Sequence, residues 1–247
     1  VKGYGAEKTE EYLNGRCTTV MQEERLGTGH AVMQAENFIK ENVEGSTLVL
    51  CADAPFMDTE TIVKSLEYHK ESGNAVTVIT AEVDNPTGYG RILRNESGIF
   101  GKDASVSQKD IKEINSGAYW FKSADMPELL AALTQNNVQN EYYLTDTIYA
   151  ALNQGKKAGA YKSANKEVIL GANDRKGMLE LNKIARENIL NKHMENGVCF
   201  TCTDGITIGR DVEIGAGTEI LPGTILRGKT KIGCDCVIGP NCLIEDS

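Results

Sequence analysis

The sequence lacks several features that would assign it to common classes of protein. No apolar run approaches the ~20 residues that a membrane-spanning helix needs, and no basic segment with an apolar leader is present. Basic residues number 26 against 35 acidic ones, a net charge of −9, so the basic excess typical of nucleic-acid or anionic-membrane binding is missing. We therefore expect a cytoplasmic small-molecule protein with no nucleic-acid or membrane partner.

The cysteines do not form a recognisable framework. There are seven, an odd number scattered along the chain, which is unlike the disulfide pattern of a secreted protein. Cys199 and Cys202 have the spacing of zinc ligands, whereas Cys234 and Cys236 do not. Because a structural zinc site usually takes four ligands from two matching pairs, free thiols are favoured over zinc.

The first two thirds of the chain alternate between strand-like and helix-like patterns. The predicted strands are 18–22, 47–51, 75–81, 91–94, 114–121 and 158–161, and the predicted helices are 7–13, 28–40, 59–72, 124–133 and 144–152. Such alternation predicts an α/β fold, a mostly parallel sheet covered by helices.

Two short motifs in this region indicate half of a nucleotide site. Gly27, Thr28 and Gly29 form a turn that opens a helix, where glycine allows close approach of a ligand and the first N–H groups are unpaired. Asp53 follows Cys51 and Ala52 at the end of an apolar segment. If that segment is a central parallel strand, Asp53 lies at the sheet edge where α/β proteins bind ligands and metals.

The last third follows a different pattern. A charged, amphipathic stretch from 174 to 196 predicts a connecting helix. Large aliphatic residues then recur every six positions, at Ile208, Ile214, Ile220, Leu226, Ile232, Ile238 and Ile244. Small or β-branched residues stand two positions before the later members, at Val212, Thr218, Thr224, Thr230, Cys236 and Cys242. This pattern predicts a left-handed parallel β-helix with three hexads per coil.

We therefore expect three parts. Residues 1–173 form a Rossmann-like domain, 174–197 a linker helix, and 198–247 the start of a β-helix. Because the repeat still runs at the last residue, we expect this β-helix to be truncated. A left-handed β-helix ordinarily associates threefold, which predicts a homotrimer.

Several motifs in a fixed order resemble one enzyme family over essentially the whole chain. They are Gln22 with Gly27-Thr28-Gly29-His30-Ala31, Asp53 with Pro55, Pro86-Thr87-Gly88-Tyr89-Gly90-Arg91-Ile92, Lys102-Asp103-Ala104, Glu113-Ile114-Asn115-Ser116-Gly117 and Asn173-Asp174-Arg175, followed by the hexads. The chain resembles the bacterial bifunctional N-acetylglucosamine-1-phosphate uridylyltransferases and glucosamine-1-phosphate acetyltransferases, which make UDP-N-acetylglucosamine for cell-wall peptidoglycan.

The resemblance implies a role for each matching residue. Gln22 and Gly27 recognise uracil and Thr28 lies beside the sugar nucleotide. Gly90 and Asn115 contact N-acetylglucosamine, and Cys51 and Ala52 belong to the substrate-binding segment that ends in Asp53. Asp53 and Asn173 hold Mg²⁺ against the phosphates and are the implied catalytic pair. A carboxamide suits a pyrimidine edge because it both donates and accepts, and Mg²⁺ prefers oxygen ligands.

The implied reaction is attack of the phosphate of N-acetylglucosamine 1-phosphate on the α-phosphorus of UTP, with release of pyrophosphate. The nucleophile is already an anion, so no general base is needed and catalysis rests on positioning and charge neutralisation. We therefore expect His30 to be a structural or hydrogen-bonding residue. His69 and His193, in polar helical contexts, are expected to be solvated.

Two parts of the family pattern are missing from the sequence. The phosphate loop G-x-G-T-R-M has no match, and no Ile-Val-Glu precedes Lys102. We therefore expect a partial chain, incomplete at both ends, with acetyl transfer belonging to the full-length protein. Three alternatives stay open: another sugar-1-phosphate nucleotidyltransferase with a hexad tail, a hexapeptide acyltransferase, and a non-catalytic protein that binds nucleotide sugars.

Overall fold

The computed structural model describes residues 1–86, 89–95, 98–102 and 111–247. The chain divides into two compact units, Val1–Leu170 and Gly171–Ser247. The predicted linker helix and the predicted repeat region therefore fall in the same unit. Residues Thr87, Gly88, Asp103 and Ala104, which belong to two of the family motifs, lie outside the described part.

The first unit is a sheet covered by helices. Its helices are α1 (Ala6–Leu13), α2 (Thr28–Met33), α3 (Glu36–Glu41), α4 (Thr59–Ser72), α5 (Met126–Ala131) and α6 (Thr147–Asn153). Its strands are β1 (Ser46–Val49), β2 (Val76–Glu82), β3 (Arg91–Asn95), β4 (Gly98–Lys102), β5 (Glu113–Lys122) and β6 (Ala158–Lys162). Two 3₁₀ helices, Leu144–Asp146 and Lys166–Ile169, connect these elements.

Strand β2 lies inside the sheet, whose order is β4-β3-β5-β2-β6, with β1 also paired to β5. Every residue of β2 except Glu82 is buried, because other elements cover both faces of the strand. The main apolar cluster joins this sheet to α5 and α6 through Val76, Phe121, Leu129 and Ile148.

The sheet is mixed, so the prediction of a mostly parallel sheet is wrong. β2 pairs in parallel with β6, whereas β5 runs antiparallel to β1, β2 and β3. A parallel pair needs a crossover between its strands, as α5 and α6 provide between β2 and β6. Between β2 and β5 the described chain instead forms the antiparallel pair β3–β4, which returns the chain in the opposite direction.

Three local predictions also need correction. Residues 18–22 form no strand, only a single bridge between Lys2 and Met21. The helix predicted over 28–40 is interrupted at Gln34 and Ala35 and becomes α2 and α3. The strand predicted at 47–51 ends at Val49 and pairs only with β5 among the described strands, so it is not a central parallel strand.

The two helical histidines are buried, so the prediction that they are solvated is wrong. His69 is 2% and His193 7% exposed. His69 lies on α4 with its ring against Trp120, at a centroid distance of 6.4 Å, and its Nδ1 lies 2.9 Å from the Thr77 hydroxyl. Burial lowers the pKa of His69 to about 4, because the charged ring would lose its hydration.

The second unit begins with one long helix, α7 (Arg175–Glu195), capped by the Asp174 carboxylate, which accepts from Gly177 N at 2.7 Å. Short strands follow: β7 (Cys199–Phe200), β8 (Thr207–Ile208), β9 (Glu213–Ile214), β10 (Glu219–Ile220), β11 (Ile225–Arg227), β12 (Lys231–Ile232), β13 (Val237–Ile238) and β14 (Leu243–Glu245).

These strands form three small parallel sheets, β7-β10-β13, β8-β11-β14 and β9-β12. Ile220 pairs with Ile238 and Ile214 with Ile232. In both pairs the partners are three hexads apart in the series, as are the paired residues of β8 with β11 and of β11 with β14. The aliphatic residues of the series point into one core cluster, and Thr218, Thr224 and Thr230 are buried beside it.

Two further observations concern the described residues only. None of the helices there is both long and apolar enough to cross a membrane. All seven cysteines are free thiols, and no group of three or more His, Cys, Asp or Glu residues is arranged to hold a metal ion.

Candidate active site in the first unit

The glycine turn at the start of α2 is held against the segment around Tyr142. Tyr142 N donates to the Leu26 carbonyl at 2.7 Å, and Gly29 N donates to the Tyr142 carbonyl at 2.8 Å. One step further along, Leu144 N donates to the Thr28 hydroxyl at 3.1 Å. The turn is thus fixed along its length by a second piece of backbone.

Only glycine fits at position 27. Its φ is +100°, which side chains rarely adopt, and a Cβ there would lie 2.7 Å from the Tyr142 carbonyl oxygen and 2.9 Å from Glu141 Cβ. The need for glycine at this position therefore comes from its positive φ and from the close packing of the turn against residues 141 and 142.

The amide nitrogen of Gln22 faces this turn and already contacts protein atoms. Its Nε2 donates to the Gly27 carbonyl at 3.2 Å and lies 3.0 Å from His30 Nδ1. Gln22 Oε1 has no hydrogen-bond partner among the described residues. The His30 ring stacks on Tyr142 at 6.1 Å and its Nε2 lies 3.1 Å from Gln34 Nε2. His30 is therefore a hydrogen-bonding residue of the turn, as predicted.

A bulge in β5 shapes the second part of the site. Val78 pairs with Tyr119 and Thr80 with Asn115, so residues 116–118 lie opposite Ile79 alone. The Ser116 hydroxyl donates to the Ile79 carbonyl at 2.8 Å, and Gly117 adopts a φ of +78°. Bulges of this kind redirect side chains next to functional sites.

The bulge fixes the Asn115 carboxamide at both ends. Gly117 N donates to Asn115 Oδ1 at 2.8 Å, and Asn115 Nδ2 donates to the Tyr119 hydroxyl at 2.5 Å. The Tyr119 hydroxyl lies 2.9 Å from the Thr145 hydroxyl. Burial is the main reason that the pKa of Tyr119 is raised, so the phenol keeps its proton.

The segment after β1 reaches the same bulge. The Cys51 thiol donates to the Gly117 carbonyl at 3.4 Å. Burial, with a smaller effect from the Asp53 charge, raises the pKa of Cys51, so this thiol is protonated at neutral pH. Ala52 and Asp53 are exposed on the turn that follows. The Asp53 carboxylate makes no hydrogen bond or ion pair with any residue that the structure describes.

Gly90 also touches this cluster, since its carbonyl accepts from Asn115 N at 3.1 Å. The buried Arg91 side chain holds the loop before it, donating from Nη1 to the carbonyls of Pro86 and of Tyr89, the latter at 2.7 Å. A Cβ on Gly90 would meet no atom of the described residues within 4 Å, and its φ is not in the positive region. Neither packing nor backbone geometry therefore requires glycine at this position.

The 3₁₀ helix Leu144–Asp146 touches both parts of the site. Leu144 N binds the Thr28 hydroxyl, and the Thr145 hydroxyl contacts Tyr119, which holds Asn115.

Within the first unit the structure thus joins predicted residues from four separate motifs, represented by Thr28, Cys51, Gly90 and Asn115. Asn173 lies in the second unit, exposed, one residue before the Asp174 cap of α7.

Comparison with known proteins identifies the family. Residues 5–168 match the family model described as nucleotidyl transferase. The chain belongs to the nucleotidyl transferase family.

Curated relatives of this nucleotidyl transferase share one name. The chain is 47% identical to "Bifunctional protein GlmU" of Caldanaerobacter subterraneus subsp. tengcongensis, over 100% of this chain and 54% of that protein. It is 46% identical to the protein of the same name from Acetivibrio thermocellus, over 97% of this chain and 53% of that protein. The chain thus spans about half the length of the curated relatives it matches.

The fold also resembles a solved structure. A Bacillus anthracis protein, described as a glucose-1-phosphate thymidylyltransferase in complex with sucrose, matches with a TM-score of 0.56 at 16% identity. The match covers 73% of this nucleotidyl transferase and 72% of that chain. At this identity the likeness concerns the fold alone, and it agrees with a Rossmann-like α/β domain.

Sequence reasoning missed five residues that shape the site of this nucleotidyl transferase. They are Arg91, Tyr119, Tyr142, Leu144 and Thr145. Tyr119 lies within a strand where it resembles an ordinary core residue, and residues 144–152 resemble one helix. The one available signal was Thr145-Asp146, a cap-like pair just before Thr147, which indicates a chain turn before a helix.

Proposed function

We propose that this chain carries the uridylyl-transfer site of an enzyme that joins UTP and N-acetylglucosamine 1-phosphate into UDP-N-acetylglucosamine and pyrophosphate. The supporting observation is the convergence of separate motifs on one hydrogen-bonded cluster. In it Gly90 contacts Asn115, Gly117 contacts both Asn115 and Cys51, and Leu144 contacts Thr28. Relatives at up to 47% identity with a shared bifunctional name favour the same assignment.

In this proposal Gln22, Gly27 and Thr28 bind the uridine. Gln22 Nε2 is occupied by Gly27 and His30, so the carboxamide offers Oε1, an acceptor that suits the N3–H of uracil. Cytosine has no N3–H group and would leave this acceptor unpaired. An unpaired polar group in a closed site costs about 1–3 kcal/mol, which is enough to discriminate between bases.

Gly90 and Asn115 bind the N-acetylglucosamine. Glycine at position 90 is explained if the ligand occupies the space that a side chain would fill, since the residues that the structure describes leave that space free. The Asn115 carboxamide is held by Gly117 and Tyr119, so it meets the sugar in one orientation.

Within the first unit, Asp53 is the proposed ligand for Mg²⁺, and Cys51 and Ala52 are the proposed backbone beside the phosphates. Nucleotidyl transferases of this family typically use a divalent metal. Asp53 suits Mg²⁺, because its carboxylate is an exposed oxygen donor and this ion commonly takes one or two protein ligands plus phosphate and water. When bound, the metal neutralises charge on the phosphates.

The nucleophile in the proposed reaction comes from the substrate. The sugar phosphate is an anion at neutral pH, so its oxygen attacks the α-phosphorus of UTP without loss of a proton, and pyrophosphate leaves. The protonated Cys51 thiol fits this scheme, because no covalent enzyme intermediate is required. The residues act by positioning both substrates for in-line displacement.

We also propose that the repeat region is a left-handed β-helix that continues in a longer protein. The parallel pairing of strands that lie three hexads apart supports three hexads per coil. The same proposal includes a homotrimer, a cytoplasmic location, and acetyl transfer to glucosamine 1-phosphate by that longer protein.

Calorimetric titration with Mg²⁺ and UDP-N-acetylglucosamine tests the assignment. We expect saturable binding, and we expect Asp53→Asn to weaken it at least about tenfold, because the metal ligand loses its charge. Asp211→Asn, which removes an exposed carboxylate in the second unit, serves as the control and should bind like the parent chain, the chain without substitutions. Absence of binding by the parent chain, or equal binding by Asp53→Asn, would contradict the proposal.

A panel of substrates then decides between related activities. Pyrophosphate release is measured for UTP and dTTP, each paired with N-acetylglucosamine 1-phosphate and glucose 1-phosphate. The proposal predicts release with UTP and N-acetylglucosamine 1-phosphate above the other three pairs. A preference for dTTP or for glucose 1-phosphate would assign the chain to a different sugar nucleotidyltransferase.

A further inference from the structure

The hydroxyl groups of Tyr119 and Thr145 continue the hydrogen bonds of Asn115 into the protein interior. Tyr119 is 2% exposed, so water cannot replace a partner that its hydroxyl loses. Asn115 Nδ2 lies 2.5 Å and Thr145 Oγ1 lies 2.9 Å from Tyr119 Oη. The phenol oxygen accepts from Asn115, and its own proton is then available for Thr145.

These contacts leave Asn115 with a defined capacity for a ligand. Its Oδ1 accepts from Gly117 N, and one of its two Nδ2 protons goes to Tyr119. The second Nδ2 proton is the donor left over. A flipped amide, with its oxygen and nitrogen exchanged, would place an NH₂ group against the Gly117 N–H, which can only donate. The Gly117 contact therefore selects the orientation in which Nδ2 faces the Tyr119 hydroxyl, and Tyr119 then holds that Nδ2 group in place.

Thr145 is fixed by its neighbour on the 3₁₀ helix Leu144–Asp146. Leu144 N donates to the hydroxyl of Thr28, in the turn proposed to bind uridine. The Leu144 side chain is 4% exposed and belongs to the main apolar cluster. The 3₁₀ helix therefore holds Thr145 at a fixed distance from both the turn and β5.

We propose that Tyr119 and Thr145 are positioning residues that orient the Asn115 carboxamide as a hydrogen-bond donor toward an acceptor oxygen of the N-acetylated sugar. This inference rests on the proposed function, since it assumes that Asn115 meets the sugar. It assigns to the pair the recognition of the sugar and not of the uridine.

Two ligands separate these contributions. UDP and UDP-N-acetylglucosamine are titrated calorimetrically, with Mg²⁺, into the parent chain and into Tyr119→Phe and Thr145→Val. The ratio of the two dissociation constants measures the contribution of the sugar. We expect both variants to weaken UDP-N-acetylglucosamine binding about five- to tenfold while leaving UDP within about twofold.

Two further variants serve as controls. Thr145→Ser keeps the hydroxyl and should restore the affinity ratio of the parent chain. Thr61→Val removes a hydroxyl that contacts the Ser163 hydroxyl at the same 2.9 Å but lies at the start of α4, and it should leave the ratio unchanged. Thermal unfolding of each variant is measured to check that the first unit is folded.

Each outcome has a defined meaning. An unchanged ratio in Tyr119→Phe and Thr145→Val would overturn the inference while leaving the proposed function intact. Equal losses for UDP and UDP-N-acetylglucosamine would also overturn it, because the defect would then be general. If the parent chain binds UDP and UDP-N-acetylglucosamine equally, the proposed sugar site itself fails, and the inference fails with it.

Discussion

The Cys51 thiol donates to the carbonyl oxygen of Gly117 at 3.4 Å, which joins the segment after β1 to the bulge of β5. The two residues are 66 positions apart in sequence. Because Gly117 N also holds Asn115 Oδ1, one peptide segment contacts both the segment that leads to Asp53 and the residue proposed to meet the sugar. The shape of the bulge should therefore matter for stability and for binding.

Substitution of Gly117 by alanine tests the bulge. A left-handed φ costs a residue with a Cβ about 1–2 kcal/mol, and the new Cβ would lie 3.0 Å from Cys51 Sγ. We expect urea unfolding to show a larger loss for Gly117→Ala than for Gly155→Ala, which has a similar φ of +70° and nothing within 4 Å. Equal losses would mean that the contact with Cys51 contributes nothing.

Gly90→Ala should separate stability from binding. The added methyl meets no atom within 4 Å in the described part of the chain and needs no unusual φ, so we expect the free energy of unfolding to stay within about 0.5 kcal/mol. If the sugar occupies that space, UDP-N-acetylglucosamine binding should fall at least about tenfold while UDP binding is kept. Unaltered sugar affinity in calorimetry would place the sugar elsewhere.

The sequence patterns predicted the α/β domain and the stacked hexads because both depend on local periodicity. Apolar spacing places Val76–Glu82 and Thr59–Ser72 correctly. Ile214, Ile220 and Leu226 recur every six residues, and burying all three side chains requires the short strands that carry them to stack on other strands. These signals lie within short stretches of chain and do not depend on distant partners.

Strand direction and the bulge could not be predicted in this way. The period of apolar residues in β5 does not state whether its neighbours run parallel or antiparallel, and this depends on the β3–β4 pair that precedes it. Likewise, Gly117 looks like an ordinary glycine until Cys51 is placed next to it. The burial of His69 in α4 depends on Trp120 in β5 and Thr77 in β2, which lie on other elements of the fold.

His69 should make the stability of the first unit depend on pH. Its pKa falls from 6.5 to about 4 on folding, so between these values the unfolded chain binds more protons and stability decreases as the pH falls. The contribution is fully present above pH 6.5 and is lost progressively toward pH 4, by at most about 3 kcal/mol.

A non-titrating variant isolates this effect. His69→Gln keeps a hydrogen-bonding side chain for Thr77 but cannot be protonated, and groups other than His69 contribute to both proteins alike. Urea unfolding at pH 7 and pH 4 should show a smaller decrease in stability for His69→Gln than for the parent chain. Identical pH dependence would show that His69 does not resist protonation in the folded state.

The stacked hexads predict different effects for two glycines at the same repeat position. Gly209 follows Ile208 and Gly215 follows Ile214, yet a Cβ on Gly215 would lie 2.6 Å from the backbone of Gly233 and Cys234, whereas a Cβ on Gly209 meets nothing closer than 3.5 Å. This backbone directly follows β12 and cannot move without separating the paired strands β9 and β12. We therefore expect Gly215→Ala to destabilise the second unit by about 1–3 kcal/mol and Gly209→Ala to have little effect. Thermal unfolding followed by circular dichroism measures both, and equal effects at the two positions would contradict the stacking of strands three hexads apart.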